Sequence, residues 1–194
     1  MHSNSHRPVR QQSGGPPYAR RGRAVQPRPR QFPWLAIAAF VLLAAAGLAL
    51  FRNVVRDSVG ETVAVLPGTH VSADTRTSYN SNPPTSGAHT VETAPWGVST
   101  APLPDISLVH NLEHGGIVLH YQPKLDDAQR QQLVTLAGEL QRQDRKVVLA
   151  PRPENDAPIT ASAWGKVLKQ QTFNGDELRN FFDANINRGP ERVS

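Results

Sequence analysis

The run WLAIAAFVLLAAAGLALF, residues 34–51, contains no charged residue and is almost wholly aliphatic and aromatic. As an α-helix it rises about 27 Å, close to the ~30 Å hydrocarbon core of a bilayer. Trp34 and Phe51 stand at its ends, where interfacial aromatics belong, and Arg52 and Arg56 follow. A buried helix of a water-soluble domain would carry polar residues along its length. A cleaved secretion signal has a shorter apolar core behind a short charged region. The run is therefore read as an uncleaved transmembrane anchor over 32–52, with the membrane engaged through residues 34–51.

The arginines orient it. Residues 1–31 hold Arg7, Arg10, Arg20, Arg21, Arg23, Arg28 and Arg30 and no acid, which turns the chain's formal +5 into about −2 for everything after them. Basic residues concentrate on the cytoplasmic side of a span. The expected topology is a disordered basic cytoplasmic tail over 1–31 and an extracytoplasmic C-terminal part, in a single-pass protein of the cell membrane. Nucleic acid is not an expected partner, because the cations lie on a Pro/Gly/Gln/Ser-rich tail with too little apolar area to fold into a binding face. The sequence identifies no protein partner. There is no cysteine, which excludes disulfides, thiolate metal sites and cysteine nucleophiles.

Residues 53–66 read as a linker and 67–190 as the outer domain. From Pro67 to Pro104 the chain is rich in Pro, Gly, Ser and Thr, which predicts a long irregular loop segment, and loops of this length are functional or disordered. Regular structure is expected afterwards. GIVLHY (116–121) has strand composition. DDAQRQQLVTLAGELQRQ (126–143) is an amphipathic helix with Leu133, Leu136, Ala137 and Leu140 on one face and a possible capping box of Asp126 with Gln129. KVVLAP (146–151) and ITASAW (159–164) read as strands, and NGDELRNFFDANI (174–186) as a closing helix with Asn174 and Glu177 as its cap pair. The fold class is α/β: a small mixed sheet with two helices, whose first crossover is parallel.

Five histidines fall in this domain: His70, His89, His110, His114 and His120. In HNLEHGG, His110 and His114 are four apart, which puts both rings on one side of a helical turn. Gly115 and Gly116 end that turn. Glu113 precedes the second ring and can ligate, orient an imidazole or act as a base. Two imidazoles make an incomplete site, since zinc and copper take three or four protein donors. The loop offers two more in His70 and His89, the latter behind the stiffening pair Pro83–Pro84. The candidate metal ligands are thus His70, His89, His110 and His114 with Glu113, for Zn or Cu. His120 shares a strand face with Val118 and reads as a structural residue.

Two other readings stand beside the metal site. The histidines can form a structural polar network in an envelope interaction or assembly module. HNLEH also fits the H-x-x-E-H pattern of inverted zinc peptidases, but such a hydrolase needs a long active-site helix, a further acidic ligand and a substrate chamber, whereas a Gly–Gly pair stops this helix at once. No nucleophile elbow and no phosphate-cradling glycine loop is present.

YNSNPPTSGAH (79–89), LVHNLEHGG (108–116), VVLAPRP (147–153) and Ala163–Trp164–Gly165 resemble the bacterial, often membrane-anchored proteins classed only as domain-of-unknown-function family 3105. The likeness spans most of 65–190. It implies that the segments around Pro83–His89 and His110–Gly115, with His70–Val71 upstream, form the family's shared site. It supplies no activity. Ala88 stands where relatives are expected to carry proline, and His120 where they tend to carry an aromatic residue.

Overall fold

The structure, a computed structural model, describes residues 34–57 and 59–191, without the side chains of 35 and 51–57. The tail read over 1–31 lies outside the described residues. Helix α1 runs Trp34–Asp57, as the apolar run requires, and Trp34, Ile37, Phe40, Val41, Leu42, Leu43, Leu48 and Leu50 along it are exposed. Among the described residues no helix is long and apolar enough to cross a membrane.

Residues 59–191 form a mixed six-stranded sheet in the order β1-β6-β5-β3-β4-β2. Its strands are β1 (Glu61–Thr62), β2 (Gly97–Val98), β3 (Ile117–Tyr121), β4 (Val147–Pro151), β5 (Ile159–Ala163) and β6 (Lys166–Gln170). Three helices accompany it: α2 (Asp105–Glu113), α3 (Asp127–Gln143) and α4 (Gly175–Asn185). The expected crossover is present, since β3 and β4 flank α3 and pair in parallel, Ile117 opposite Val147. β5 returns antiparallel to β3 and forms a hairpin with β6.

The sheet is covered on both faces, which is why β3 and β4 are buried throughout and read as apolar runs, His120 of β3 excepted. One core packs Ile117, Leu119, Val147 and Leu149 against Leu133 and Leu140 of α3 and Phe181 and Leu178 of α4. Each such side chain, fully buried, contributes about 1.5–3 kcal/mol. The opposite core holds Val118 and Val148 against Leu108 and Leu112 of α2, with Ala94, Trp96 and Trp164. The candidate site lies on that second side.

Four expectations change. The domain has three helices, because the segment ahead of the double glycine continues back to Asp105 as α2. β6 was not foreseen, and Glu61–Thr62, read as linker, pairs with it as edge strand β1. The loop contributes the two-residue strand β2. Both capping boxes are half formed. Asp126 accepts from the amides of Ala128 and Gln129, but the Gln129 side chain turns away to accept from Phe173 N. Asn174 accepts from Glu177 N, while Glu177 takes the Gln170 amide.

Candidate metal centre

The site is built on α2. Pro104 takes the N-cap with extended backbone and no side-chain cap, so the helix start is held by tertiary contacts. Asn111 faces the loop and bonds both backbone groups of Ala94, accepting from its N (2.8 Å) and donating to its carbonyl (2.9 Å). At the other end Gly115 adopts φ +79°, a conformation that strains any residue with a Cβ, and the helix stops. His110 and Glu113 in the helix and His114 at its C-cap project to one side, with the His110 and His114 ring centroids 4.3 Å apart.

The long loop delivers the other imidazoles. It has little secondary structure, so its backbone and polar side chains are anchored piecemeal. Leu66 N donates to Ser86 Oγ at 2.9 Å, Gly165 N to the Thr85 carbonyl at 3.0 Å, and the Tyr79 hydroxyl to the Ala88 carbonyl at 2.9 Å. Pro83 to Gly87 are buried. The two histidine segments lie side by side as an isolated parallel bridge, His89 N bonding Thr69 O and Val71 N bonding His89 O. That bridge fixes the ring centroids of His70 and His89 4.9 Å apart, each about 5 Å from His110 (5.2 and 5.0 Å).

His70, His89, His110 and Glu113 each offer a ligand atom, all within 4.8 Å of one another. His89 and His110 are buried, Glu113 half-buried, and His70 open to solvent. A tetrahedral ion with bonds of ~2.0–2.1 Å needs donors about 3.3 Å apart, so side-chain rotations close this set onto one.

His89 is the informative member. Its Nδ1 lies 2.8 Å from the Gly87 carbonyl, which can only accept, so Nδ1 carries the hydrogen. In the neutral ring Nε2 is then an unprotonated lone pair. This Nε2 is buried, has no hydrogen-bond partner, and stands 2.8 Å from Glu113 Oε2. The contact is close without hydrogen-bond geometry. Two electron-rich atoms at that separation repel unless a positive centre is shared between them. Burial, followed by the His114, His89 and His70 rings, holds the His110 imidazole below its ordinary pKa against the opposing pull of Glu113. Neutral His110 is the ligating form.

The sequence grouping is thus partly redrawn. His70, His89 and His110 come together with Glu113 as a direct donor. His114 groups instead with His110 and Glu191, its Nε2 3.1 Å from Glu191 Oε2. Sequence reasoning missed Glu191. The only signal was an acid in the short segment after α4, with no periodicity to place it. His120 stays apart on β3, buried, with both ring nitrogens unbonded among the described residues. Burial, with the Arg152 guanidinium adding to it and Asp105 opposing, pushes its pKa down to about 3.

An α/β domain that collects imidazoles and carboxylates around the end of one short helix defines the class of protein. The chain belongs to the family described as protein of unknown function DUF3105, whose model matches residues 70–194 and so takes in every donor named here. No curated protein and no solved structure matches the chain.

Proposed function

We propose that the domain binds a divalent ion, Zn(II) or Cu(II), through His70, His89, His110 and Glu113, in a membrane-anchored protein whose domain lies outside the cytoplasm. The observation that carries the metal reading is the His89 Nε2 lone pair facing Glu113 Oε2 at 2.8 Å. Three neutral imidazoles and one carboxylate leave a net +1 with a divalent ion in place. This is a borderline-hard nitrogen and oxygen set without thiolate, which suits these two ions. Gly87 O orients His89 as outer-sphere carbonyls orient ligating imidazoles. Four protein donors make a closed site, suited to holding or handling the ion.

The anchor rests on the apolar run 34–51 and on the exposure of Phe40, Leu42, Leu43 and Leu50. A helix apolar all round requires an apolar surrounding, and the arginine-rich N-terminal flank sets the orientation.

The same 2.8 Å contact supports a second reading, in which a proton replaces the metal and His89 imidazolium pairs with Glu113 as a structural network. Metal analysis separates the two. The full chain is purified in detergent with His2→Ala and His6→Ala, so that the tail offers no imidazole. It is expected to retain at least one equivalent of zinc or copper after dialysis, and to lose one equivalent when His89→Ala is added. A metal-free native chain that Zn(II) and Cu(II) do not stabilise against heat would leave only the proton.

A further inference from the structure

The second cluster, His110, His114 and Glu191, has no role in a one-ion site, and its construction points to a ligand. After α4 the chain reverses at Asn187, in the left-handed region at φ 59°. Its side chain is held from both sides, by Lys146 Nζ to Oδ1 (3.0 Å) and by Nδ2 to Asp144 Oδ2 (2.6 Å). The strap that follows is stitched to the end of α2, Asn187 N to Gly115 O at 2.8 Å and Glu191 N to Glu113 O at 3.1 Å. At Gly189 the backbone passes so close that a Cβ would overlap Glu113 O. The strap presents Glu191 Oε2 3.1 Å from His114 Nε2 and 3.9 Å from His110 Nε2.

His110 is the second observation. Its side chain is only 7 % exposed, yet Nδ1 is buried without a hydrogen-bond partner and Nε2 has Glu191 no nearer than 3.9 Å. A buried ring nitrogen without a partner, here Nδ1, is unusual, since buried polar atoms are paired, and Nε2 meets Glu191 only at ion-pair distance. The two nitrogens point away from each other across the ring, and His110 is the member common to both donor clusters.

Resting on the metal reading above, we infer that the protein holds two ions side by side, the second bound by His114, Glu191 and His110 Nε2, with the His110 ring bridging it to the first. The first ion then takes Nδ1. Bridging removes the single N–H hydrogen of neutral His110, which leaves as a proton to bulk water, while each nitrogen lone pair forms one metal bond. Three protein donors leave the second ion an open position for water or an oxygen ligand, the arrangement of catalytic rather than structural zinc. With Glu191 half-exposed, that position is reachable from solvent.

Cu(II) is the probe. The full chain in detergent, lacking His2 and His6 as above, is loaded with Cu(II), freed of excess, and examined for copper content and electron paramagnetic resonance. The expected result is two coppers per chain with a weakened signal, because two Cu(II) ions joined by one imidazolate couple antiferromagnetically. Glu191→Gln and His114→Ala, each checked for folding by circular dichroism, are expected to hold one copper with a full uncoupled signal. One copper in the native chain, unchanged in both variants, would overturn the second site and leave the first standing. Two coppers with an uncoupled signal would overturn the shared ring. No copper in any form would remove the metal reading itself.

Discussion

His120 occupies a position on β3, beside Thr160 of β5, where a neutral imidazole is kept in a fully buried setting with neither nitrogen bonded within the protein. Its pKa near 3 has a direct consequence for stability. As pH falls below about 6.5, the unfolded chain binds a proton at this residue and the folded chain does not. Stability attributable to His120 is therefore complete above 6.5 and declines toward 3, by about 2 kcal/mol between pH 7 and pH 5. His120→Phe is expected to flatten that part of the acid-side decline, as read from urea midpoints at the two pH values. It sacrifices no protein hydrogen bond, so it also stabilises the fold at pH 7. An unchanged pH slope in the variant would mean that the ring is protonated, or reached by water, in the folded state. At this scale the sequence was informative about His110, His114 and Glu113, whose spacing forces them onto one side of a helix end. It was silent on Glu191, which lies 78 residues beyond Glu113 and after the chain reversal at Asn187, so no local pattern links the two.

At the scale of elements, Arg152 joins the pieces that carry the donors. It follows β4, and its guanidinium grips Asp105 in the first turn of α2 with a fork of 2.9 and 2.8 Å. It also donates to Asn82 in the loop ahead of His89 and to Asn155. This ties the loop to the start of α2, which has no side-chain cap of its own. Arg152→Met is expected to cost about 2–4 kcal/mol in urea unfolding, since it leaves a part-buried carboxylate without its cation. Metal affinity falls with it while stoichiometry holds, by titration. Arg152→Lys loses less but does not restore the native value, because an ammonium cannot make the fork. A variant as stable as the native chain would show that α2 is placed by its apolar face alone. Elements with strong local signals were legible: β4 is an unbroken apolar run and β3 is interrupted only by His120, and α3 and α4 carry the helical period and an Asp or Asn cap. β6, Lys166–Gln170, was not, because KVLKQ shows no clean alternation over its five positions and is defined by pairing with β5. The start of α2 was hidden for the opposite reason: its N-cap is a proline without capping side chain, and its stability comes from tertiary contacts that no window of sequence contains.

For the whole molecule, the decisive question is what surrounds α1. Its exposed Phe40, Val41, Leu42, Leu43, Leu48 and Leu50 would each lose about 1.5–3 kcal/mol of burial if left in water, far more than a lone helix gains from its own hydrogen bonds. A bilayer removes that penalty. Arginine near the centre of a span is opposed by ~2.5–3.5 kcal/mol on insertion scales, so Leu42→Arg with Leu43→Arg subtracts about 5–7 kcal/mol from insertion. The native chain is expected in the membrane pellet after alkaline carbonate extraction, and the double variant largely in the supernatant. Ion binding as proposed is independent of this, because the candidate donors all lie at residue 70 and beyond. The two forms should therefore bind the same number of ions. If the native chain is itself released by carbonate, the apolar helix is buried against protein and the anchor is wrong, while the His89–Glu113 contact and everything argued from it stay in force.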